Sequence, residues 1–479
     1  MVKKLLSHYR EVSKPIRATL WFMICSFIQR GISMITTPIF TRILSEEEYG
    51  LFSTYTSWQV IFEIFISLSI STSAMIYFSK CEDSKKALSA FCGLELLFGI
   101  FWSAVMAVFG HAIADLIKLP YILCICLLIQ IISGQIINLW MIYRRILYEY
   151  RSIVIVTLIN SIISSIISVV VILTYSSTAI GRAVSLTSVS LLLGIILLIG
   201  ILKENSSLFD RAAWTFAVRF GIAAIFDALS QFILTSSDKL MINVMCGARD
   251  VAIYSVAYSV GSLLGFFTQA INGSFTPYQY QQIKNKNFRS LAKRGYMVLA
   301  FVSVILIFIM MFGHEIIWIM GGDIYIESES LVIPICLGTF FSFLHQLFSK
   351  FQEFYEYRTT LTLSSFCCAV LNIALNFWFI NIYGYQAAAY TTFVCYFLYC
   401  VFHYFAYKWV LKKELNSLKV YDIRILGGIS VGVVISGILL NFISQLLWLK
   451  VIILFFGFAI LFIKRKKLII LIGMLQEKQ

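Results

Sequence analysis

Ser26, Arg30, Ser33, Thr37 and Thr41 stand three and four residues apart along one apolar stretch, and the next stretch carries Thr56, Gln59, Glu63, Ser67 and Ser71. About two hundred residues on, Asp227, Gln231, Thr235 and Asp238 are followed by Tyr254, Tyr258, Ser262 and Gln269. Such spacing places each set on one face of a helix. A guanidinium with hydroxyls, amides and isolated carboxylates suits recognition of polar, charged cargo better than bond-breaking. Ionisable groups at bilayer depth are costly, so Arg30, Glu63 and Asp227 should face a cavity or a partner. Arg30, Ser33, Thr37, Gln59, Arg219, Gln231 and Tyr258 are therefore the candidate binding residues of a cavity between the polar helices.

Each assignment has a plainer rival. Arg30 and Glu63 can be a structural pair, Ser and Thr can serve close packing, and Arg219, near a helix end, can snorkel. Glu95 stands on no polar stripe and reads as structural, Tyr254 and Tyr258 as packing residues, and Arg182, Lys239, Arg249 and Lys450 as interfacial anchors.

Catalytic and metal chemistry finds no support. His314-Glu315 is followed by Ile, Ile and Trp318, so it is not HExxH, and His8, His111, His345 and His403 form no ligand-spaced set. The 11 cysteines are scattered without a CxxC pair and read as small buried hydrophobes. No cofactor is expected beyond a possible coupling ion.

The elements that must position these residues are membrane helices. Of 479 residues, 60% are hydrophobic and only 13% charged, against roughly a quarter charged in globular chains, which implies an all-α integral membrane protein. At about twenty residues per span, about fourteen spans are expected: 18–41, 51–78, 87–109, 121–142, 153–175, 179–202, 214–236, 251–275, 296–312, 331–351, 361–381, 385–407, 425–442 and 446–463. The net charge of +14 does not read as a nucleic-acid surface, because about 30 of the 38 Lys and Arg fall in alternate connections, the positive-inside pattern. Both termini are thereby expected in the cytoplasm. No connection exceeds about twenty residues, too little for a soluble catalytic domain.

The chain also repeats itself. Tyr148-Glu149-Tyr150-Arg151 recurs as Tyr355-Glu356-Tyr357-Arg358, and Glu48-Tyr49-Gly50-Leu51-Phe52-Ser53 resembles Asp250-Val251-Ala252-Ile253-Tyr254-Ser255. Ala183 and Thr187 likewise answer to Ala387 and Thr391, all at offsets close to two hundred residues. An even number of spans between partners predicts two six-helix lobes of like orientation: 1–202 and 214–409, joined by a linker at 203–213, with 410–479 adding two helices and a basic tail.

The segment from Phe27-Ile28-Gln29-Arg30 through Pro38-Ile39-Phe40-Thr41-Arg42-Ile43-Leu44-Ser45 to Glu48-Tyr49-Gly50-Leu51-Phe52 resembles the N-terminal signature of bacterial polysaccharide-repeat-unit flippases of the Wzx type. Ser236-Ser237-Asp238-Lys239 followed by Ala252-Ile253-Tyr254 resembles the signature that opens their second half. These belong to the multidrug/oligosaccharidyl-lipid/polysaccharide exporter superfamily. The resemblance implies a V-shaped two-lobe fold in the bacterial cytoplasmic membrane that carries undecaprenyl-diphosphate-linked oligosaccharide to the outer leaflet, for O-antigen, capsule or exopolysaccharide synthesis. Polysaccharide polymerase and chain-length machinery would be partners alongside membrane lipids. Arg30 would then screen the diphosphate, while Glu63 and Asp227 are candidates for coupling to H+ or Na+. The rival readings are a MATE-like exporter of organic cations, expected to use acids and aromatics in place of the deep Arg, and a membrane enzyme on lipid-linked glycans, expected to need a large outer loop.

Overall fold

The computed structural model describes residues 14–443 together with Trp448, Lys450 and Ile452, and among these every regular element is helical. The first six expected spans correspond to α1 (Lys14–Ile43), the pair α2 (Glu46–Ile66) and α3 (Ile70–Lys80), α4 (Ser84–Ile117), α5 (Tyr121–Ile146), α6 (Tyr150–Thr174) and α7 (Ala179–Glu204). The next six are α8 (Arg211–Met245), α9 (Ala248–Lys284), α10 (Phe288–Met311), α12 (Glu329–Phe354), α13 (Arg358–Tyr383) and α14 (Ala387–Glu414), with short α11 (Gly313–Gly321) inserted after α10. α15 (Ile423–Ile443) is the thirteenth; the expected span 446–463 lies, but for three helical residues, outside the described residues.

Ten of these helices are long and apolar enough to cross a membrane, and twelve if the bent α2–α3 pair and bent α8 each count as one span. α1, 30 residues long, is not among the twelve. The expected fourteen is thus met up to twelve among the described residues, in a multi-pass membrane protein.

Local chemistry explains where the helices start and stop. Ser45 accepts from the Glu48 N–H at 3.2 Å, Asp83 from those of Lys85 and Lys86, and Asp210 from that of Ala213 at 3.0 Å, so α2, α4 and α8 open on side-chain caps. α5 closes through Tyr148 (φ 56°), with the Glu149 N–H donating to Arg144 O at 3.0 Å. α12 closes identically through Glu356 (φ 61°), the Tyr357 N–H donating to Gln352 O at 2.8 Å. The repeated tetrapeptide therefore encodes one helix-ending turn used twice, one residue out of step. Helix starts recur on the same spacing: Glu46 and Ala248, Ala179 and Ala387.

Two expectations differ in detail. The single span 51–78 is broken between Ile66 and Ile70, where Leu68 and Ser69 take φ 47° and 51° and the chain bends by 50°. The span expected to end at 275 runs on as helix, since α9 continues through Pro277 to Lys284. Pro277 removes one backbone donor, but Tyr280 beyond it is tied to Glu353 of α12 at 2.6 Å, which holds that turn in place.

Leu116, Val108, Trp378 and Phe442 are among many large apolar side chains left exposed, which suits a lipid surround. The enclosed apolar packing of the second half gathers α9, α10, α12, α14 and α15 around Phe340, Phe348, Phe351 and Tyr407.

Candidate functional site

α2 and α8 cross where each is bent. α8 turns by 46° between Arg211–Phe226 and Ala228–Met245, so Asp227 is the residue at the bend. In the other helix, the break follows Glu63 by one turn; the Ser67 N–H and hydroxyl both donate to Glu63 O, at 3.1 and 2.6 Å. The helices approach so closely that a Cβ on Gly221 would stand 2.2 Å from Leu68 O. Only glycine fits there.

Around this crossing lies a cavity of about 310 Å³ lined by Glu63, Ser67, Ser69, Ser71 and Thr72 from the broken segment, Gln135 from α5, and Gln231 and Thr235 from α8. The Gln135 side-chain amide donates to Glu63 Oε1 at 2.6 Å. Hydroxyls and amides thus surround one acid, a lining that offers donors and acceptors to a sugar or phosphate ester. Its volume is at the small end of ligand sites, about 300–1,000 Å³, so an oligosaccharide would require the walls to part.

A second polar centre lies between α8, α9, α13 and α14. Asp238, 1% exposed, accepts hydrogen bonds from Tyr254 Oη at 2.6 Å, Thr392 Oγ1 at 2.8 Å and Asn376 Nδ2 at 2.8 Å. Asn376 Nδ2 also donates to Asn372 Oδ1 at 3.2 Å, and Thr391 Oγ1 donates to Asn376 Oδ1. A carboxylate so enclosed by oxygen-bearing neighbours can hold a proton or an alkali cation.

The end of the molecule opposite the basic connections is closed by contacts between its halves. A Cβ on Gly50 would meet Ala248 O at 1.7 Å, Arg249 pairs with Glu46 at 2.7 Å, and Lys118 Nζ donates to Val244 O at 2.8 Å. From α1, Thr41 Oγ1 donates to Met320 O and Arg42 to Trp318 O.

The profile of the polysaccharide biosynthesis protein family matches residues 16–279, more than half of the sequence. The chain belongs to the polysaccharide biosynthesis protein family. Every residue lining the cavity falls inside the matched stretch. The MatE profile matches residues 223–378 of this polysaccharide biosynthesis protein. Among solved structures, the lipid II flippase MurJ in an inward closed conformation is 15% identical, with TM-score 0.70 over 94% of this chain and 100% of that one. The Vibrio cholerae MATE transporter VcmN, a point mutant, is 13% identical, with TM-score 0.57 over 85% and 98%. A transporter of the MOP superfamily from Pyrococcus furiosus is 12% identical, with TM-score 0.52 over 85% and 96%. Comparison with curated proteins finds no match. These likenesses show that the chain shares the fold of the lipid II flippase and of the MATE transporters.

Of the expected site residues in this family member, Glu63 and Gln231 meet in the cavity. Gln59 is half-buried one turn earlier on α2, outside the lining. Thr37 is half-buried towards the closed end, against Tyr49, and Arg219 is exposed on α8. Tyr258 donates to Thr235 O at 2.9 Å and carries Lys239 Nζ 5.1 Å from its ring centroid. The side chains of Arg30, Ser33 and Asp227 lie outside the described residues.

Sequence reading passed over Gln135, one of three amides in α5 with Gln130 and Asn138, and the Asn372 and Asn376 pair, whose spacing of four was the available signal. Three residues read as anchors have specific partners instead. The Arg182 guanidinium lies 3.6 and 3.8 Å from the ring centroids of Phe40 and Phe52, Arg249 joins the closing contacts, and Lys450, 1% exposed, pairs with Glu315 of α11 at 2.8 Å.

Proposed function

We propose that this transporter flips undecaprenyl-diphosphate-linked oligosaccharide repeat units from the cytoplasmic to the outer leaflet, for O-antigen, capsule or exopolysaccharide synthesis. The observation that carries the proposal is the hydroxyl- and amide-lined cavity at the crossing of two bent helices, wholly inside the stretch matched by the polysaccharide family. The sealed end supports alternating access: contacts such as Gly50 against Ala248 must part for cargo to leave there. Arg30 is assigned to the diphosphate and Arg219, exposed on α8, to its approach from the basic end. The lipid tail stays in the bilayer as the head group crosses.

Coupling to H+ or Na+ is assigned to Glu63 and Asp227 at the bends, and the enclosed Asp238 is added to them. Polysaccharide polymerase and chain-length machinery would take the product onward.

The test is a reconstituted flipping assay in liposomes with a labelled undecaprenyl-diphosphate oligosaccharide, under imposed H+ or Na+ gradients. Protein-dependent flipping is expected, abolished by Arg30→Ala and uncoupled from the gradient by Glu63→Gln, Asp227→Asn or Asp238→Asn. Absence of flipping together with efflux of soluble organic cations would replace this reading with the drug-exporter one.

A further inference from the structure

A second cavity, of about 230 Å³, lies between α4, α5 and α7 at the end of the molecule that carries the basic connections. It shares no lining residue with the cavity at the helix crossing. Lys85 stands in the first turn of α4, Arg144 in the last turn of α5, and Glu204 ends α7, so three helices bring charged ends to one rim. Below the rim the wall is apolar, built from the buried side chains of Leu88, Trp140 and Ile201. Ile196 and Gly200 complete it from the exposed face of α7, in line with exposed Leu192 and Ile199, so the cavity opens sideways where the protein meets lipid.

The charges at the rim are incompletely satisfied. Glu204 is shared between Lys85 Nζ at 3.2 Å and Arg144 Nη2 at 3.4 Å, both longer than the roughly 2.7–2.9 Å of a well-formed charge-assisted hydrogen bond. Arg144 Nη1 meets Glu149 at 2.6 Å, but its Nε is buried with no partner. The rings of Trp140 and Tyr143, with centroids 5.3 and 5.6 Å from the guanidinium carbon, keep that group at the rim. One carboxylate stretched between two cations, beside an idle N–H, leaves room for a better anion. A phosphodiester has two non-bridging oxygens, each able to accept from several donors, and can reach Nε, Nη2 and the Lys85 ammonium together. Glu204, 41% exposed, is free to turn into water as it is displaced.

We propose that this pocket binds the head group of an anionic phospholipid from the adjoining leaflet, its phosphate held by Lys85 and Arg144 in place of Glu204 and an acyl chain laid past Trp140 along Ile196. The volume admits a phosphoryl group and the start of a chain but not a whole lipid, so the rest of the molecule stays in the bilayer. A soluble phosphate would meet the same donors but draw nothing from the apolar wall or its lateral opening. Under the positive-inside pattern this end faces the cytoplasm, and basic pockets between membrane helices on that side suit phospholipid head groups. The proposal stands independently of the cargo assigned to the protein.

The test titrates the full chain in mild detergent with dioleoyl phosphatidylglycerol and, in parallel, dioleoyl phosphatidylcholine, counting bound lipid by native mass spectrometry. One phosphatidylglycerol should bind at least about tenfold tighter than phosphatidylcholine. Arg144→Gln and Lys85→Gln should remove most of that preference, whereas Glu204→Gln should strengthen it by taking away the competing carboxylate. Lys86→Gln loses the same charge at a residue paired with Asp210 outside the cavity, and should leave the preference unchanged. The opposite signs are decisive, because a network that only braces the helix ends would weaken in every rim variant. Each variant is checked for a native gel-filtration and melting profile; Lys85 is exposed, so Lys85→Gln decides if Arg144→Gln does not fold. Equal binding of the two lipids, or weaker phosphatidylglycerol binding in Glu204→Gln, would overturn the site. Displacement of phosphatidylglycerol by millimolar inorganic phosphate would overturn the lipid assignment and give the rim to a soluble phosphate.

Discussion

Gly50→Ala should open the end of the protein that the structure shows closed. The new Cβ would stand 1.7 Å from Ala248 O, 2.6 Å from Ala248 C and 3.1 Å from Ala252 N, all backbone atoms. No rotamer change can relieve contacts of that kind, and the oxygen must retreat to at least 3.0 Å before the contact is tolerable. Overpacking of this sort costs about 1–3 kcal/mol. The cost falls only on conformations in which α2 and α9 touch at their first turns, so the population with that end open should rise about 5–150-fold. Hydrogen–deuterium exchange in nanodiscs reads this directly, because amide exchange in the fast-reclosing regime scales with the open population. Peptides covering 44–54 and 246–254 should exchange faster by that factor. Gly200→Ala is the control, since a Cβ there meets nothing within 4 Å. Unchanged protection of both peptides in Gly50→Ala would refute the assignment of this contact as the closure.

Asp238→Ala strands the donors of Tyr254, Thr392 and Asn376; at about 1–3 kcal/mol for a buried unsatisfied group, thermal unfolding in detergent should show a loss of at least about 2 kcal/mol. Lys450→Met leaves Glu315, 30% exposed, unpaired, and should cost about 1–3 kcal/mol, less than the 3–5 of a fully buried pair; Glu315→Gln in the same chain should recover part of it in a double-mutant cycle. Arg249→Ala removes exposed pairs with Glu46 and Glu327, so it should raise exchange at 44–54 only a few-fold, and high salt should mimic it in wild type.

The polar faces of α2 and α8 were legible because their residues recur every three or four positions against an apolar background, and that period survives any error in helix boundaries. Glu63 and Gln231 duly meet in the cavity. The bend in α2 was not legible: Ser67, Leu68 and Ser69 include neither glycine nor proline, and the break is set by tertiary contact with Gly221. Glu95 stands alone in an apolar stretch and has no period to betray it, and Gln135 gained its meaning only from its bond to Glu63 of another helix. Lys450 read as an interfacial anchor because its partner is 135 residues away in sequence, on α11.

Acids stand at the helix bends for a physical reason. Leu68 and Ser69 hold left-handed backbone at φ 47° and 51°, which costs roughly 1–2 kcal/mol per residue for side-chain-bearing amino acids. That strain is sustained by the Ser67 hydrogen bonds to Glu63 O and by the seat of Leu68 O against Gly221. Straightening α2 into α3 would release the strain but surrender those contacts, so strain and contact oppose each other at this break. A free-energy gap of about 1–3 kcal/mol is the range over which one bound ligand can tip a conformational equilibrium. Neutralising or binding a charge at Glu63 acts one turn from this break, and any change at Asp227 acts at the α8 bend itself. If the proposed coupling is right, an ion bound at Glu63 passes its free energy to the walls of the cavity because that acid both lines the cavity and stands one turn before the break.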